Sequence, residues 1–303
     1  MGGSGGWYVP GQSLSDLLKD QAMQQQKENE RAINDYLQSL LAELNNRDTK
    51  QVQLHLNTLI NAIEKDIDGT VDLLFGGSMS KHTYAQGLSD VDMLVRINNS
   101  ELANSKPQEV LDYFVRQIQS RLPRTEVKKG DLAVTVKFKS GYEIQLLPSI
   151  KTATGYKIAK PGINEWSNVI KPRRFAEKLT SVNKSNGGKV IPMIKLFKSI
   201  NDQFPKKSQL SGYHIESLAI EAFKSNQTFP KTVKEALQKF CQHSRSAVLS
   251  PIKDSTGQSL HVDDYLGVKD SISRQRVSNN FRILEKKLNN ASSIDEWKDI
   301  LGK

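Results

Sequence analysis

Residues 73–95 read LLFGGSMSKHTYAQGLSDVDMLV, two short apolar runs joined by a polar connection. The first run ends in Gly76, Gly77 and Ser78, and the second begins at Asp90 and Asp92. If residues 91–97 form a strand, side chains alternate between its faces, and the two carboxylates project the same way roughly 7 Å apart along the backbone. Such a pair can share divalent cations. Nucleotidyl transfer uses this arrangement: two metals about 4 Å apart clamp the attacking hydroxyl, the α-phosphate and the leaving pyrophosphate. Magnesium prefers hard oxygen ligands and takes only one or two protein carboxylates when substrate phosphates complete its shell. Two glycines let the backbone approach an anion, and Ser78 can open a helical turn whose N–H groups and hydroxyl hold terminal phosphates. A lone Asp-x-Asp also fits a tight turn with two solvated aspartates. The glycine-serine bend ahead of it is what separates the two readings.

The chain has 303 residues, 37% hydrophobic and 25% charged, enough for one large core or two lobes, of which two lobes is the expectation. No apolar run approaches the roughly 20 residues of a membrane helix, and the start, MGGSGGWYVPGQ, lacks the basic and apolar regions of a secretion signal. A cytoplasmic protein with no membrane partner is expected. The single cysteine, Cys241, reads as filler on a helix face. A net charge of +10 favours polyanions, nucleotides or nucleic acid, although the lysines are spread along the chain and fit a generally basic surface equally well.

Residues 1–12 read as a flexible N-terminus. Ser13 is a candidate N-cap for a long helix to about residue 45, polar enough over residues 20–30 that only a narrow stripe can be buried. Residues 48–67 repeat apolar side chains at helical spacing through Val52, Leu54, Leu56, Leu59, Ile60 and Ile63. Residues 107–122 form an amphipathic pattern. Residues 132–138 and 142–147 alternate around Lys139-Ser140-Gly141, a hairpin expected beside the Asp90 strand. From Arg173 onward the pattern is helical: 173–182, 190–204, 211–224, 233–246, 271–290 and a short helix from 294. These elements give a core over residues 13–172, with the long N-terminal helix as its spine, and a helical domain over 173–303.

Gly-Gly-Ser, then eleven residues, then Asp-Val-Asp entering an apolar strand resembles the signature of the polymerase-β-like nucleotidyltransferases, in particular the bacterial cGAS/DncV-like branch, the CD-NTases. The similarity runs from about residue 60 to 291, through INEWSNVIKPRRF at 163–175 and the long final helix. It implies an α/β (α+β) bilobed fold, a twisted mixed sheet with a C-terminal helical lobe. In the family pattern a third carboxylate stands three residues before a proline; counted back from Pro148, that position holds Gln145. Glu143, on the same strand face, is the candidate replacement for catalysis and metal binding, and Asp131 is another acid nearby. VIPMIKLFKSIN at 190–201 matches the helix whose basic residues hold the donor triphosphate, making Lys195 and Lys198 candidates. A helical projection puts Lys198 inside the apolar face, where a lysine must snorkel or meet an anion. LSGYHIESL at 210–218 resembles a helix start whose tyrosine stacks on a nucleobase, here Tyr213. Lys81 is a further candidate, whereas His214 reads as a packed, hydrogen-bonded histidine. The resemblance implies a template-independent synthase that uses ATP and other nucleoside triphosphates with two Mg2+ ions, or Mn2+. Its product would be a cyclic di- or trinucleotide containing adenine, made for antiphage signalling with a HORMA-like or other protein activator. Linear tailing or nucleotidylation, and a binding-only descendant motivated by Gln145 and the charge, are the alternatives.

Overall fold

The computed structural model describes residues 14–46, 48–88, 90–225, 229–254 and 260–303. Ser13, the candidate N-cap, and residues 1–12 lie outside them. The described chain runs through α1 (Leu14–Asn45), α2 (Thr49–Glu64), β1 (Gly69–Phe75), the single turn α3 (Gly77–Ser80), β2 (Val91–Ser100) and α4 (Pro107–Arg121). Then come β3 (Glu126–Lys129), β4 (Val134–Lys137), β5 (Glu143–Lys151), β6 (Tyr156–Lys160) and β7 (Ile163–Trp166). Helices α5 (Pro172–Ser185), α6 (Val190–Asp202), α7 (Gly212–Phe223), α8 (Val233–Ala247), α9 (Ile272–Asn290) and α10 (Ile294–Leu301) complete it.

The sheet order is β1-β2-β5-β4-β3, with β6 added on β5 and β7 on β6. Among the described residues β2 and β5 pair in parallel and the other strand pairs run antiparallel. Period-two alternation sorts the two central strands. Val91, Met93, Val95 and Ile97 of β2, with Ile144 and Leu146 of β5, enter one core beneath α2 and α4. Asp92, Leu94, Gln145 and Leu147 take the opposite face. Asp48 caps α2 by accepting from Gln51 N at 2.9 Å. Val52, Leu56, Leu59 and Ile63 are buried as the periodicity predicts, but Leu54 is exposed because it falls on the outer face.

The helical lobe has a separate core from α5 to α10, and residues 33–44 of α1 belong to it through Ile33, Leu37, Leu40, Leu41 and Leu44. The back half of the spine helix therefore packs against the helical lobe, although the sequence pattern groups that helix with the sheet in the 13–172 core. The front half is mostly exposed. At the centre of this lobe, α6 is buried on nearly every side from Met193 to Asn201. Asn201 pins the approach to α7: its amide donates to Leu210 O at 3.0 Å and its oxygen accepts from Leu210 N at 2.8 Å. Cys241 is fully buried, and burial pushes its thiol well up. No helix among the described residues is long and apolar enough to cross a membrane.

Candidate active site

The bend after β1 is shaped by contact with Asp92. Gly76 N donates to Asp92 O at 2.8 Å, and Ser78 N donates to the Asp92 carboxylate at 3.3 Å. Gly77 has φ +42°, and a Cβ there would lie 1.5 Å from Asp92 Oδ2, so no side chain fits. The Ser78 N–H, offered to a phosphate by the sequence reading, is thus occupied by a carboxylate. Its hydroxyl is the group left over: Ser78 Oγ is buried with no partner among the described residues.

Asp90 precedes β2 and Asp92 lies on it, in register with Gln145 on the parallel neighbour. Gln145 therefore stands where a third acid would converge. It donates from Nε2 to Asp90 Oδ2 at 2.6 Å. Burial first, then the nearby charges of Glu143 and Asp92, raise Asp90 to about 6, with the Gln145 hydrogen bond pulling the other way. Asp92 is also raised by burial, opposed by the Ser78 N–H and by Lys81. Glu143 is half-buried at the start of β5, close enough for its charge to act on Asp90. Asp131 is exposed in the β3–β4 turn, where its carbonyl accepts from Gln108. Among the described residues no three His, Cys, Asp or Glu side chains form a metal cluster by themselves. Two crowded carboxylates whose burial resists ionisation, beside an orphaned buried hydroxyl and a glycine cradle, still fit a cation that takes its remaining ligands from phosphate.

These acids open onto a cleft of 630 Å³ between the lobes, whose helical wall includes Lys198, Tyr213 and Glu216. Lys198 Nζ donates to Thr83 O at 2.8 Å and lies 3.9 Å from Glu216. The anion that the apolar setting of Lys198 required is Glu216 of α7. Burial lowers the ammonium to about 8, and Glu216 partly restores it. Lys195, one turn earlier, points elsewhere and donates to Asn45 of α1. Lys81 reaches from the bend to pair with Glu216, and sits 5.3 Å from the ring centre of Phe175 and 5.4 Å from that of Tyr213. Tyr213 packs on Phe175 with centroids 4.7 Å apart and donates to Asp254 at 2.6 Å. Together they border a smaller slot of 200 Å³, walled by Leu94, Leu147, Ile158 and Ile170, next to Asp92. His214 is a packed histidine, with Nδ1 2.8 Å from the Tyr265 hydroxyl, and burial lowers it to about 4.

Sequence reasoning missed Glu216, Thr83 and Asp254. A signal for the first was available: Glu216 interrupts the apolar run HIESLAI at a buried helical phase, where an acid needs a cationic partner.

Residues 30–183 match the family model described as Second Messenger Oligonucleotide or Dinucleotide Synthetase domain, half of the chain. No curated protein matches. Among solved structures, DncV cyclic AMP-GMP synthase of Vibrio cholerae in complex with nonhydrolysable GTP superposes with TM-score 0.63 at 10% identity, over 96% of this chain and 91% of that one. CdnC of E. coli MS115-1 with ATP gives 0.58 at 16% identity, over 84% and 92%. The CdnC:HORMA-deltaN complex gives 0.57 at 16%, over 84% and 91%. At these identities the likeness shows a shared fold, and it is the DncV-like nucleotidyltransferase fold. The chain belongs to the Second Messenger Oligonucleotide or Dinucleotide Synthetase family of bacterial cGAS/DncV-like nucleotidyltransferases, and is a cyclic oligonucleotide synthase.

Proposed function

We propose that the protein joins nucleoside triphosphates, ATP foremost, into an adenine-containing cyclic di- or trinucleotide in the cleft between the lobes. The observation that carries this reading is the convergence of the Gly77–Ser78 bend on Asp92, with Asp90 alongside. Asp90 and Asp92, with Glu143 as the third acid, would hold Mg2+ or Mn2+. When bound, such ions stabilise charge on the α-phosphate and the leaving pyrophosphate. The chain's own groups bind and orient. The Ser78 hydroxyl and the backbone at Gly77 receive the terminal phosphates, Lys81 and Lys198 face them as cations, and Tyr213 offers a ring to the base. Lys195, held by Asn45, supports the α1–α6 contact and acts on phosphate only through its charge. A ribose hydroxyl of the acceptor attacks the α-phosphorus in line, the bond to pyrophosphate breaks, and the hydroxyl proton passes to the Glu143 carboxylate. Each further transfer likewise releases pyrophosphate, and the last one, the second for a dinucleotide and the third for a trinucleotide, joins the two ends and closes the ring.

The apolar walls of the 200 Å³ slot suit a purine stacked on Tyr213, in keeping with ATP. A cytoplasmic role in antiphage signalling, with a HORMA-like activator, follows from the family reading; the HORMA complex belongs to the related CdnC. The +10 charge fits contact with polyanions, nucleic acid included. Labelled ATP incubated with Mg2+ tests the reaction. A product that resists phosphatase and vanishes in Asp90→Asn with Asp92→Asn is expected; a phosphatase-sensitive product would make the enzyme a linear transferase.

A further inference from the structure

In the helical wall of the cleft, three segments distant in sequence meet at one buried carboxylate. Glu216 is 1% exposed. It accepts a hydrogen bond from the Thr83 hydroxyl, pairs with Lys81, and lies 3.9 Å from Lys198 Nζ. Thr83 is fully buried, and its carbonyl accepts from the same Lys198 at 2.8 Å. Residues 81–83 continue directly from the glycine-serine bend of the sheet lobe, whereas Lys198 and Glu216 belong to α6 and α7 of the helical lobe. One acid therefore ties both cleft lysines, and both lobes, to the bend that carries Ser78. A lone buried carboxylate is costly, and two ammonium groups plus a hydroxyl donor are what make it tolerable.

The lysines gain from the same arrangement. Each has a flexible stem that in water would sample many rotamers, and fixing it in advance lowers the entropy lost when phosphate arrives. Lys81 is held over the Phe175 and Tyr213 rings, 5.3 and 5.4 Å from their centres, so its position also bears on the slot beside Asp92. For Lys198, whose ammonium burial lowers to about 8, the Glu216 carboxylate opposes that loss of charge.

We propose that Glu216 is a positioning residue for nucleotide binding: it holds Lys81 and Lys198 at the triphosphate site and locks the helical lobe to the glycine-serine bend. It acts through the two lysines and takes no part in bond making. The inference rests on the reading of this cleft as the nucleotide site.

The test is a kinetic cycle with ATP and Mg2+ on the full chain. Glu216→Gln keeps the shape and removes the charge; KM for ATP rises about tenfold or more while kcat stays within about threefold. Thr83→Val removes the hydroxyl that orients Glu216. Thr83 does not line the cleft, and its hydroxyl also lies 3.5 Å from Ser78 O, so the share of its effect on KM, about threefold, that runs through Glu216 is the share that disappears in the Glu216→Gln background. If Glu216→Gln does not fold, Glu216→Asp takes its place in the cycle, with the same expected loss of coupling. An unchanged KM in the Glu216 variant, or a Thr83→Val effect that persists undiminished in the double variant, overturns the proposal. Wild-type turnover that is abolished by Asp92→Asn establishes the site independently, so failure of the cycle is distinguishable from failure of the functional reading.

Discussion

Replacing Gly77 with alanine isolates the contact on which the site is built. Two costs follow from the geometry. At φ +42° an L-residue pays about 1 kcal/mol for the left-handed backbone. The new Cβ would also lie 1.5 Å from Asp92 Oδ2 and 2.3 Å from Cγ, so the carboxylate must swing away from the bend. That movement breaks the Ser78 N–H bond to Asp92, a charged hydrogen bond worth about 2 kcal/mol. The sum is about 3 kcal/mol, a loss of a few degrees in Tm for a chain of this size. The effect on turnover is larger than that on folding, because displacing a reacting group by about 1 Å costs on the order of 10²-fold. Gly76→Ala is the matched control. A Cβ there meets Leu94 Cγ at 3.5 Å and Asp92 O at 3.6 Å, ordinary contact. Its φ of −107° suits any residue. Thermal unfolding and initial rates of ATP conversion on both variants make the comparison. Gly77→Ala turning over ATP like Gly76→Ala would refute the reasoning.

Glu143→Gln removes a charge that raises Asp90, so the Asp90 carboxyl, followed by NMR titration of the metal-free protein, should move below about 6; an unmoved titration would separate the two acids. The same variant should lower kcat at least about tenfold if Glu143 receives the proton. His214 carries a pH dependence. Folding holds its imidazole neutral to about pH 4, whereas the unfolded chain takes up the proton near 6.5, so the stabilisation is complete above pH 6.5 and is lost as pH falls toward 4. Urea midpoints should fall across that window in the wild type and less in His214→Gln; parallel curves would remove His214 as the cause. Phe114, fully buried under the sheet, should cost about 3–5 kcal/mol as Phe114→Ala, with KM for ATP unchanged in the folded fraction, because it lies in the core opposite the cleft.

The elements nearest the chemistry were legible because their signals are local. Alternation on β2 and β5, the turn at Gly141, and the apolar periods of α4 and α8 each report a buried face that the next few residues define. Strands β3 and β7 carried no such signal: four residues each, and mostly exposed, they show neither alternation nor an apolar run. The packing of α1 was also out of reach, since a narrow stripe on a polar helix does not say which lobe covers it. Lys198 shows where sequence stops. Its apolar phase called for an anion, but whether that anion is a ligand or Glu216, 18 residues on, depends on how α6 and α7 pack. Gln145 is similar. Its departure from an acid was plain, whereas its hydrogen bond to Asp90 arises from the parallel register of β2 and β5.

Whether the acid pair and the glycine-serine bend serve one metal-bound triphosphate is decided by a co-crystal with a nonhydrolysable ATP analogue and Mn2+. Anomalous signal is expected within about 2.2 Å of carboxylate oxygens of both Asp90 and Asp92, with a terminal phosphate at the Ser78 hydroxyl. Manganese bound away from these aspartates, or a nucleotide seated outside the interlobe cleft, would contradict that shared role.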